Sequence, residues 1–155
     1  MTFRRLTLTR FTLAATLLAA SAWAAAADGL IALKSPHSAA VTMTRLEDAA
    51  KQRGLTVFAR IDHAAGAAKI SKTLRPTEVI IFGNPQGGTP LMECAQSVGI
   101  DLPLKALVWE DAAAQVWVGY NDPAYLAQRH GAPQCAAVEG LRKALAGLAD
   151  TAIAK

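Results

Sequence analysis

The order of strand-like and helix-like segments is the feature that most restricts how this chain can fold. Residues 104–109 and 115–120 are rich in apolar and aromatic side chains, and the five residues between them predict a β-hairpin. Further strands are expected at 29–34, 55–61 and 78–83, and helices at 38–53, 63–74, 89–98, 123–129 and 134–149. The alternation of strands and helices breaks at the hairpin, where two strands follow one another and are followed by two helices. This order disfavours a parallel, doubly wound sheet. We therefore expect an α+β fold, a two-layer sandwich with a largely antiparallel sheet and helices packed on one face.

Two of the expected strands have distinct patterns of apolar residues. In the strand expected at 55–61, apolar residues at every second position predict one buried face: Leu55, Val57, Ala59 and Ile61. Residues 78–83 are apolar on both sides, which is typical of a central strand. No internal repeat and no long linker divides the chain, so residues 29–150 are predicted to form one globular domain.

Residues 1–24 have the pattern of a cleaved export signal. Three arginines among the first ten residues precede an uncharged stretch, residues 11–27, that ends in alanines. Cleavage is expected before Ala25, or as late as residue 27, before Asp28. The uncharged stretch is at the short limit for spanning about 30 Å of hydrocarbon, so an uncleaved anchor is the less favoured interpretation. We expect Sec-type export to the periplasm or the medium rather than the twin-arginine route.

Removal of this segment changes the charge of the protein. The full chain has 16 basic and 12 acidic residues and a formal charge of +4, and loss of the three arginines in residues 1–24 lowers it to +1. No run of four or more basic residues remains, so neither a nucleic-acid partner nor a stable membrane anchor is expected after cleavage.

Cys94 and Cys135 are the two cysteines of the chain. In an exported protein they allow a single disulfide, which is the favoured interpretation. Two separate buried thiols are the alternative.

Four ordered segments of the sequence resemble one known family. They are residues 58–65, 74–85, 88–92 and 100–123. Across roughly residues 30–130 they are similar to the domain of unknown function 302 family. This resemblance implies a compact sandwich with an antiparallel sheet, usually self-associating and often exported in bacteria. It implies no reaction.

The segment from Gly83 to Thr89 is the strongest candidate for a binding site. It leads from the apolar strand 78–83 into the predicted helix 89–98, and exposed N–H groups at a helix amino terminus favour an anion. The predicted ligand-binding residues are Asn84, Gly87, Gly88 and Thr89. The segment lacks the lysine of a P-loop and the spacing of a dinucleotide-binding turn. A tight turn whose glycines provide positive φ is the alternative.

Asp62 and His63 are the candidate catalytic residues. A carboxylate that orients an imidazole is a common acid–base pair, although neighbouring residues of an extended chain point to opposite faces. The alternative is that Asp62 caps the following helix.

No other catalytic or metal-binding set is expected from the spacing of residues. The histidines and cysteines form no pair at the two- to five-residue spacing of metal ligands, so no metal or other cofactor is predicted. No serine, Ser97 included, has the G-x-S-x-G context of a nucleophile. Trp109 and Trp117 are interpreted as ordinary core residues, and an apolar ligand pocket or a dimer surface is the alternative.

Three functions are compatible with these residues. The preferred one is an exported, homodimeric binding or interaction module for a small anionic ligand. The alternative is an enzyme for a small substrate, with His63 as acid–base and the Asn84–Thr89 segment as an oxyanion or phosphate site. A structural partner in a larger envelope complex would instead show an exposed apolar patch and no concave pocket.

The export signal leads to the first prediction. The mature protein is expected to begin at Ala25 or Asp28 and to be recovered from the periplasm, because small residues before these positions suit the signal peptidase. Intact-mass measurement of the exported protein checks this. A mass that retains residues 1–24 would contradict it.

Overall fold

The computed structural model of the protein describes residues 27–155. The predicted export signal lies outside these residues. The described chain forms one five-stranded sheet, in the order β1-β5-β4-β3-β2, and every neighbouring pair is antiparallel. The strands are β1 (Leu30–Ser35), β2 (Thr56–Asp62), β3 (Thr77–Gly83), β4 (Leu104–Glu110) and β5 (Val116–Asn121). The predicted α+β class and antiparallel sheet are confirmed.

Five α-helices and one short 3-10 helix join or flank these strands. They are α1 (Ala39–Gln52), α2 (His63–Ala68), α3 (Pro85–Cys94), the 3-10 helix Gln96–Ile100, α4 (Pro123–Arg129) and α5 (Ala137–Ile153). The predicted helix 63–74 ends earlier, and the last helix begins and ends later than expected. No helix of residues 27–155 is long and apolar enough to cross a membrane.

Helices α1 and α5 cover one face of the sheet, which we call the inner face. Apolar side chains that recur at helical spacing on α1 and α5 meet the alternate residues of the strands. The most buried are Met43, Leu46, Leu145 and Leu148 from the helices, and Ile80, Phe82, Val108 and Val118 from the sheet. Burial of each such side chain contributes about 1.5–3 kcal/mol. This main core fixes the sheet against α1 and α5.

A β-bulge in β2 changes the face on which its residues lie. Val57 pairs with Phe82 but Ala59 pairs with Ile81, so Phe58 has no partner in the ladder. Because strand residues alternate between faces, Val57 lies on the inner face, whereas Ala59 and Ile61 lie on the opposite face of the sheet, the outer face. The prediction of one buried face for residues 55–61 is therefore wrong beyond Val57.

The bulge places Arg60 on the inner face, where it joins two elements. Its guanidinium donates to Glu78 of β3 at 2.7 Å and to Glu47 of α1 at 2.7 Å. The hydrogen bond that Arg60 donates to Glu78 and, to a smaller extent, the one that it donates to Glu47 raise the pKa of Arg60 above its ordinary value. Hydrogen bonds from Lys51 and Arg60 lower the pKa of Glu47. These ion pairs tie β2 to α1 and β3.

The outer face of the sheet carries an apolar row that crosses all five strands. The registers align Ile61, Val79, Leu107, Gly119 and Ala32 in that order. Ile61 is 43% exposed, and Val79, Leu107 and Ala32 are only half-buried. The expected central strand, β3, does lie between two others, but β4 occupies the middle.

A disulfide joins the helical elements at one end of the sheet. Cys94 at the end of α3 is bonded to Cys135, which lies just before α5, with 5.9 Å between the Cα atoms. The predicted pairing is confirmed. A second apolar cluster surrounds the bond and contains Leu91, Val98, Ala127 and Leu141. The bond therefore holds α3 beside the beginning of α5.

Loss of this disulfide is expected to destabilise the domain. The bond spans 41 residues of chain, and constraint of the unfolded state over such a loop contributes roughly 2–4 kcal/mol. Denaturant unfolding of the wild type and of the Cys94→Ser/Cys135→Ser protein measures this difference. Reductant should lower the stability of the wild type and leave the double variant unchanged. Two titratable thiols in the unreduced, denatured wild type would rule out the bond.

Candidate functional site

The segment predicted as an open loop is the first turn of α3. Asn84 is the N-cap, its Oδ1 accepts from the N–H of Gly87 at 2.8 Å, and Pro85 occupies the first helical turn. Neither Gly87 nor Gly88 has positive φ. The predicted helix start at Thr89 is therefore four residues too late. The Asn-Pro pair is itself a common helix start, and the two glycines obscured that signal.

A cleft of about 700 Å³ opens beside this helical turn. It lies between α3, the middle of α5 and the ends of β2, β3 and β4 that face them. Most of its walls are apolar and include Leu102, Pro103 and Leu104 before and in β4, and Leu141, Leu145 and Leu148 of α5. The cleft therefore joins the main core to the cluster around the disulfide.

All four predicted ligand-binding residues line this cleft: Asn84, Gly87, Gly88 and Thr89. Their backbone donors, however, are engaged within the helix cap. The N–H of Gly87 donates to the Asn84 side chain, and the N–H of Gly88 donates to the Asn84 carbonyl at 3.1 Å. The expected cradle of unoccupied amides is therefore absent at these two glycines.

The two glycines instead determine how wide the cleft is. A Cβ at Gly87 would lie 3.4 Å from Leu141 Cδ2, and a Cβ at Gly88 would lie 3.5 Å from Leu102 Cδ1. A larger side chain at either position would extend into the space between α3 and its neighbours. Glycine at these positions leaves space in the cleft and does not provide a special backbone angle.

Phe58 contributes an aromatic side chain to the cleft and is 59% exposed. It is the residue that the bulge in β2 leaves unpaired. Bulges often redirect a side chain next to a functional site. The alternation of apolar residues in 55–61 gives no sign of a bulge, so this residue was missed.

Arg53 provides a positive charge at the edge of the cleft. Its Nη1 donates to the carbonyl of Ala144 at 3.3 Å, and its Nη2 donates to Gly147 O at 2.8 Å and to Thr151 Oγ1 at 3.1 Å. No carboxylate of residues 27–155 lies within ion-pair distance of it. A guanidinium has five N–H donors, so these bonds leave donors for a ligand.

Gly147 makes this position of Arg53 possible. A Cβ at residue 147 would lie only 2.8 Å from Arg53 Nη1. The arginine thus rests directly on the backbone of α5. Its role depends on contacts nearly a hundred residues away along the chain, which local sequence does not reveal.

Asp62 and His63 lie at the opposite end of the sheet. Asp62 caps α2, accepting from the N–H of Ala65 at 2.8 Å, and both residues are exposed. In the β2–β3 ladder Asp62 pairs with Glu78, whereas Gly83, next to Asn84, is five residues further along β3. At about 3.3 Å per residue, the two ends of the ladder, one at Asp62 and the other at Gly83, are roughly 17 Å apart.

The enzyme hypothesis that combined His63 with the Asn84–Thr89 segment is therefore wrong in its geometry. One small substrate cannot contact both ends of the ladder. The capping role of Asp62, weighed as the alternative, agrees with the structure.

The two tryptophans of the hairpin lie on the outer face and do not line the cleft. Their rings stack at 6.2 Å between centroids, and the Trp109 ring covers Gly119. Trp117 Nε1 donates to Asp111 Oδ2 at 2.8 Å, and this bond is the main reason why the pKa of Asp111 is lowered. The Nζ of Lys34 lies 5.4 Å from the Trp117 ring.

Within residues 27–155, no three His, Cys, Asp or Glu side chains gather as a metal site would require.

The fold matches a solved structure of low sequence identity. A crystal structure of an uncharacterized conserved DUF302 protein from Bacillus stearothermophilus aligns with a TM-score of 0.73 and 21% identity, over 81% of this chain and 99% of that one. At this identity the match shows the shared fold alone.

Curated relatives from Brucella are closer in sequence but much longer. Proteins named fluoride-specific ion channel FluC 1, from Brucella suis and Brucella abortus, are 53% identical over 102 residues, which is 66% of this chain. The chain spans only about two fifths of their length, 40% and 38%.

A family model covers most of the described domain. The model of the domain of unknown function DUF302 matches residues 31–150, which include the sheet apart from Leu30, the cleft and the disulfide. The extent of this match agrees with the four motifs noted in the sequence. The chain belongs to the DUF302 family.

Proposed function

We propose that this protein is a binding module for a small amphipathic ligand, with an apolar body held in the cleft and an anionic head bound by Arg53. The observation that carries this proposal is a 700 Å³ cleft with apolar walls and an arginine at its edge. The proposal keeps the predicted anionic ligand but moves the partner of the anion from the amides of α3 to Arg53.

The apolar walls favour the body of such a ligand. The volume falls within the range of about 300–1,000 Å³ that is usual for small-molecule sites. Contact with Leu102, Leu141 and Phe58 would remove apolar surface of the ligand from water, at roughly 25 cal/mol per Å². A strongly hydrated ligand without an apolar part gains nothing from these walls.

Arg53 favours an acidic head group. A guanidinium stays charged at all ordinary pH values and donates charge-assisted hydrogen bonds to a carboxylate, sulfonate or phosphate. With both hydrogens of Nη2 engaged, Arg53 retains its Nε–H and one Nη1–H for such a group. The three bonds that Arg53 makes to α5 hold the side chain in place before a ligand arrives. Preorganisation of this kind reduces the entropy that binding costs.

The names of the Brucella relatives raise fluoride as a second candidate ligand. Fluoride is a small, strongly hydrated anion, and a site for it needs several N–H donors aimed at one point. The amides of Gly87 and Gly88 are engaged and the surrounding walls are apolar. The cleft therefore supports an amphipathic ligand better than fluoride, and channel activity is not transferred to this chain.

The charge of the ligand can be tested with a matched pair of dyes. Anilinonaphthalene sulfonate carries an anionic group, and N-phenylnaphthylamine is the uncharged counterpart. Arg53→Gln is expected to weaken binding of the sulfonate about 5-fold, the equivalent of about 1 kcal/mol, and to leave the neutral dye unchanged. Lys51→Gln removes the same charge two residues away, outside the cleft, and should affect neither dye. Fluorescence titration gives the affinities. If Arg53→Gln lost affinity for both dyes equally, this would contradict the role of Arg53.

The location of the apolar body can be tested by narrowing the cleft. Gly88→Val should weaken binding of both dyes by at least about 10-fold, because the new side chain projects toward Leu102. Gly140→Val introduces the same side chain into α5 where nothing lies within 4 Å, and should bind normally. Circular dichroism and melting temperature confirm that both variants fold. Normal binding by a folded Gly88→Val protein would place the dyes elsewhere.

We further propose that two copies of the protein pair through the outer face of the sheet. The row formed by Ile61, Val79, Leu107, Gly119 and Ala32 is apolar and remains partly exposed, and the Trp109 ring lies over it at Gly119. Two such sheets can stack about 10 Å apart, and a twofold axis brings the same row onto itself. This surface is separate from the cleft, so pairing leaves the ligand site open.

A charge in the middle of this row is expected to prevent pairing. Leu107→Glu should give a monomer by light scattering at concentrations where the wild type is a dimer, because the buried carboxylate would lose its hydration. Leu74→Glu, the same substitution at an exposed residue outside the sheet, should remain dimeric. A monomeric wild type, or a dimeric Leu107→Glu protein, would contradict the proposal.

A further inference from the structure

Three polar side chains form a connected chain outside the cleft lining and the outer face. The Oγ of Ser97 lies 2.9 Å from Nδ1 of His130, and Nε2 of the same ring lies 2.8 Å from Oδ2 of Asp101. Ser97 belongs to the 3-10 helix, Asp101 follows it, and His130 directly follows α4. The serine, histidine and carboxylate are thus linked in the order found in serine hydrolases, but with the two ring nitrogens exchanged, since in those enzymes the serine faces Nε2 and the carboxylate Nδ1.

The hydrogen bonds determine where the protons lie. A carboxylate can only accept, so Nε2 of the neutral His130 ring must carry the hydrogen that bonds to Asp101. Nδ1 is then the unprotonated nitrogen, and Ser97 Oγ donates its hydrogen to it. Asp101 therefore holds the imidazole in the tautomer that can remove a proton from Ser97.

The surroundings suit a reactive serine. The side chains of His130 and Asp101 are only 10% and 15% exposed, whereas Ser97 is exposed to solvent. Asp101 is further held by Arg129, whose Nη1 lies 3.1 Å from Oδ1. The base is sheltered and oriented, and the nucleophile is accessible to a substrate from solution.

We propose that Ser97 and His130 are catalytic residues for cleavage of short-chain carboxylic esters, with Asp101 as a positioning residue. Ser97 Oγ attacks the carbonyl carbon while its proton passes to His130 Nδ1. The carbon–oxygen bond to the alcohol then breaks, and the departing oxygen takes the proton from His130. Water repeats the sequence on the acylated Ser97, so that ester and water give acid and alcohol.

A donor for the negative oxygen of the intermediate is present beside the nucleophile. The backbone N–H of Ser97 makes no hydrogen bond to another residue of the described chain. In some serine hydrolases the amide of the nucleophile itself helps to stabilise the oxyanion, since the attacked carbonyl lies next to it. An ester with a short acyl group suits a serine that lies at the surface rather than in the cleft.

The proposal is tested by covalent labelling and by ester hydrolysis. A fluorophosphonate reagent should modify the wild type at Ser97, located by peptide mass, and Ser97→Ala should abolish the modification. Ser71→Ala, which removes another exposed serine, should leave it unchanged. Hydrolysis of p-nitrophenyl acetate should fall to the background in Ser97→Ala and about 100-fold in His130→Gln, where the base is missing.

Asp101 requires a readout that distinguishes positioning from folding. Asp101→Asn should lower kcat at least about tenfold with little change in KM, because the amide no longer favours the required tautomer. Its melting temperature shows whether the fold persists. The proposal is overturned if the reagent does not label Ser97 in the wild type. It is also overturned if the wild type and a folded His130→Gln protein are labelled to the same extent. Hydrolysis that is unchanged in Ser97→Ala would also overturn it.

Discussion

The packing of α5 on two neighbours at once is the interaction on which the rest of the structure depends. Its second half, with Leu145 and Leu148, covers the inner face of the sheet, and its first half, with Leu141, packs near α3 and the disulfide. A single helix that serves two apolar clusters leaves a gap where the clusters meet. The cleft is that gap, so it arises from the main packing of the fold and not from an added loop.

Much of the architecture followed from short-range patterns. The hairpin, the end of α1 just before Gly54 and the cap at Asp122 each depend on residues adjacent in sequence, and local chemistry was sufficient to place them. The bulge at Phe58 depends instead on pairing between β2 and β3. Because a bulge shifts a strand by one residue, the alternation beyond it was assigned to the wrong face.

The candidate site was predicted only in part, and the reason is physical. The segment Asn84–Thr89, predicted as a ligand-binding loop, lines the cleft, but its glycines were interpreted as loop residues although they are helical. Arg53 reaches the cleft through contacts with α5, and His130 meets Ser97 across 33 residues of sequence. Tertiary packing creates such contacts, and no spacing rule within one segment can reveal them.

The position of the disulfide has a consequence for the covalent topology of the chain. Cys94 and Cys135 close a ring that contains the 3-10 helix, the β4–β5 hairpin and α4. Ser97, Asp101 and His130 all lie inside that ring, whereas Arg53 lies outside it. A single break of the backbone between residues 95 and 134 would therefore leave both fragments attached. The ester-cleaving residues and the ligand-binding arginine thus belong to topologically separate parts of one domain.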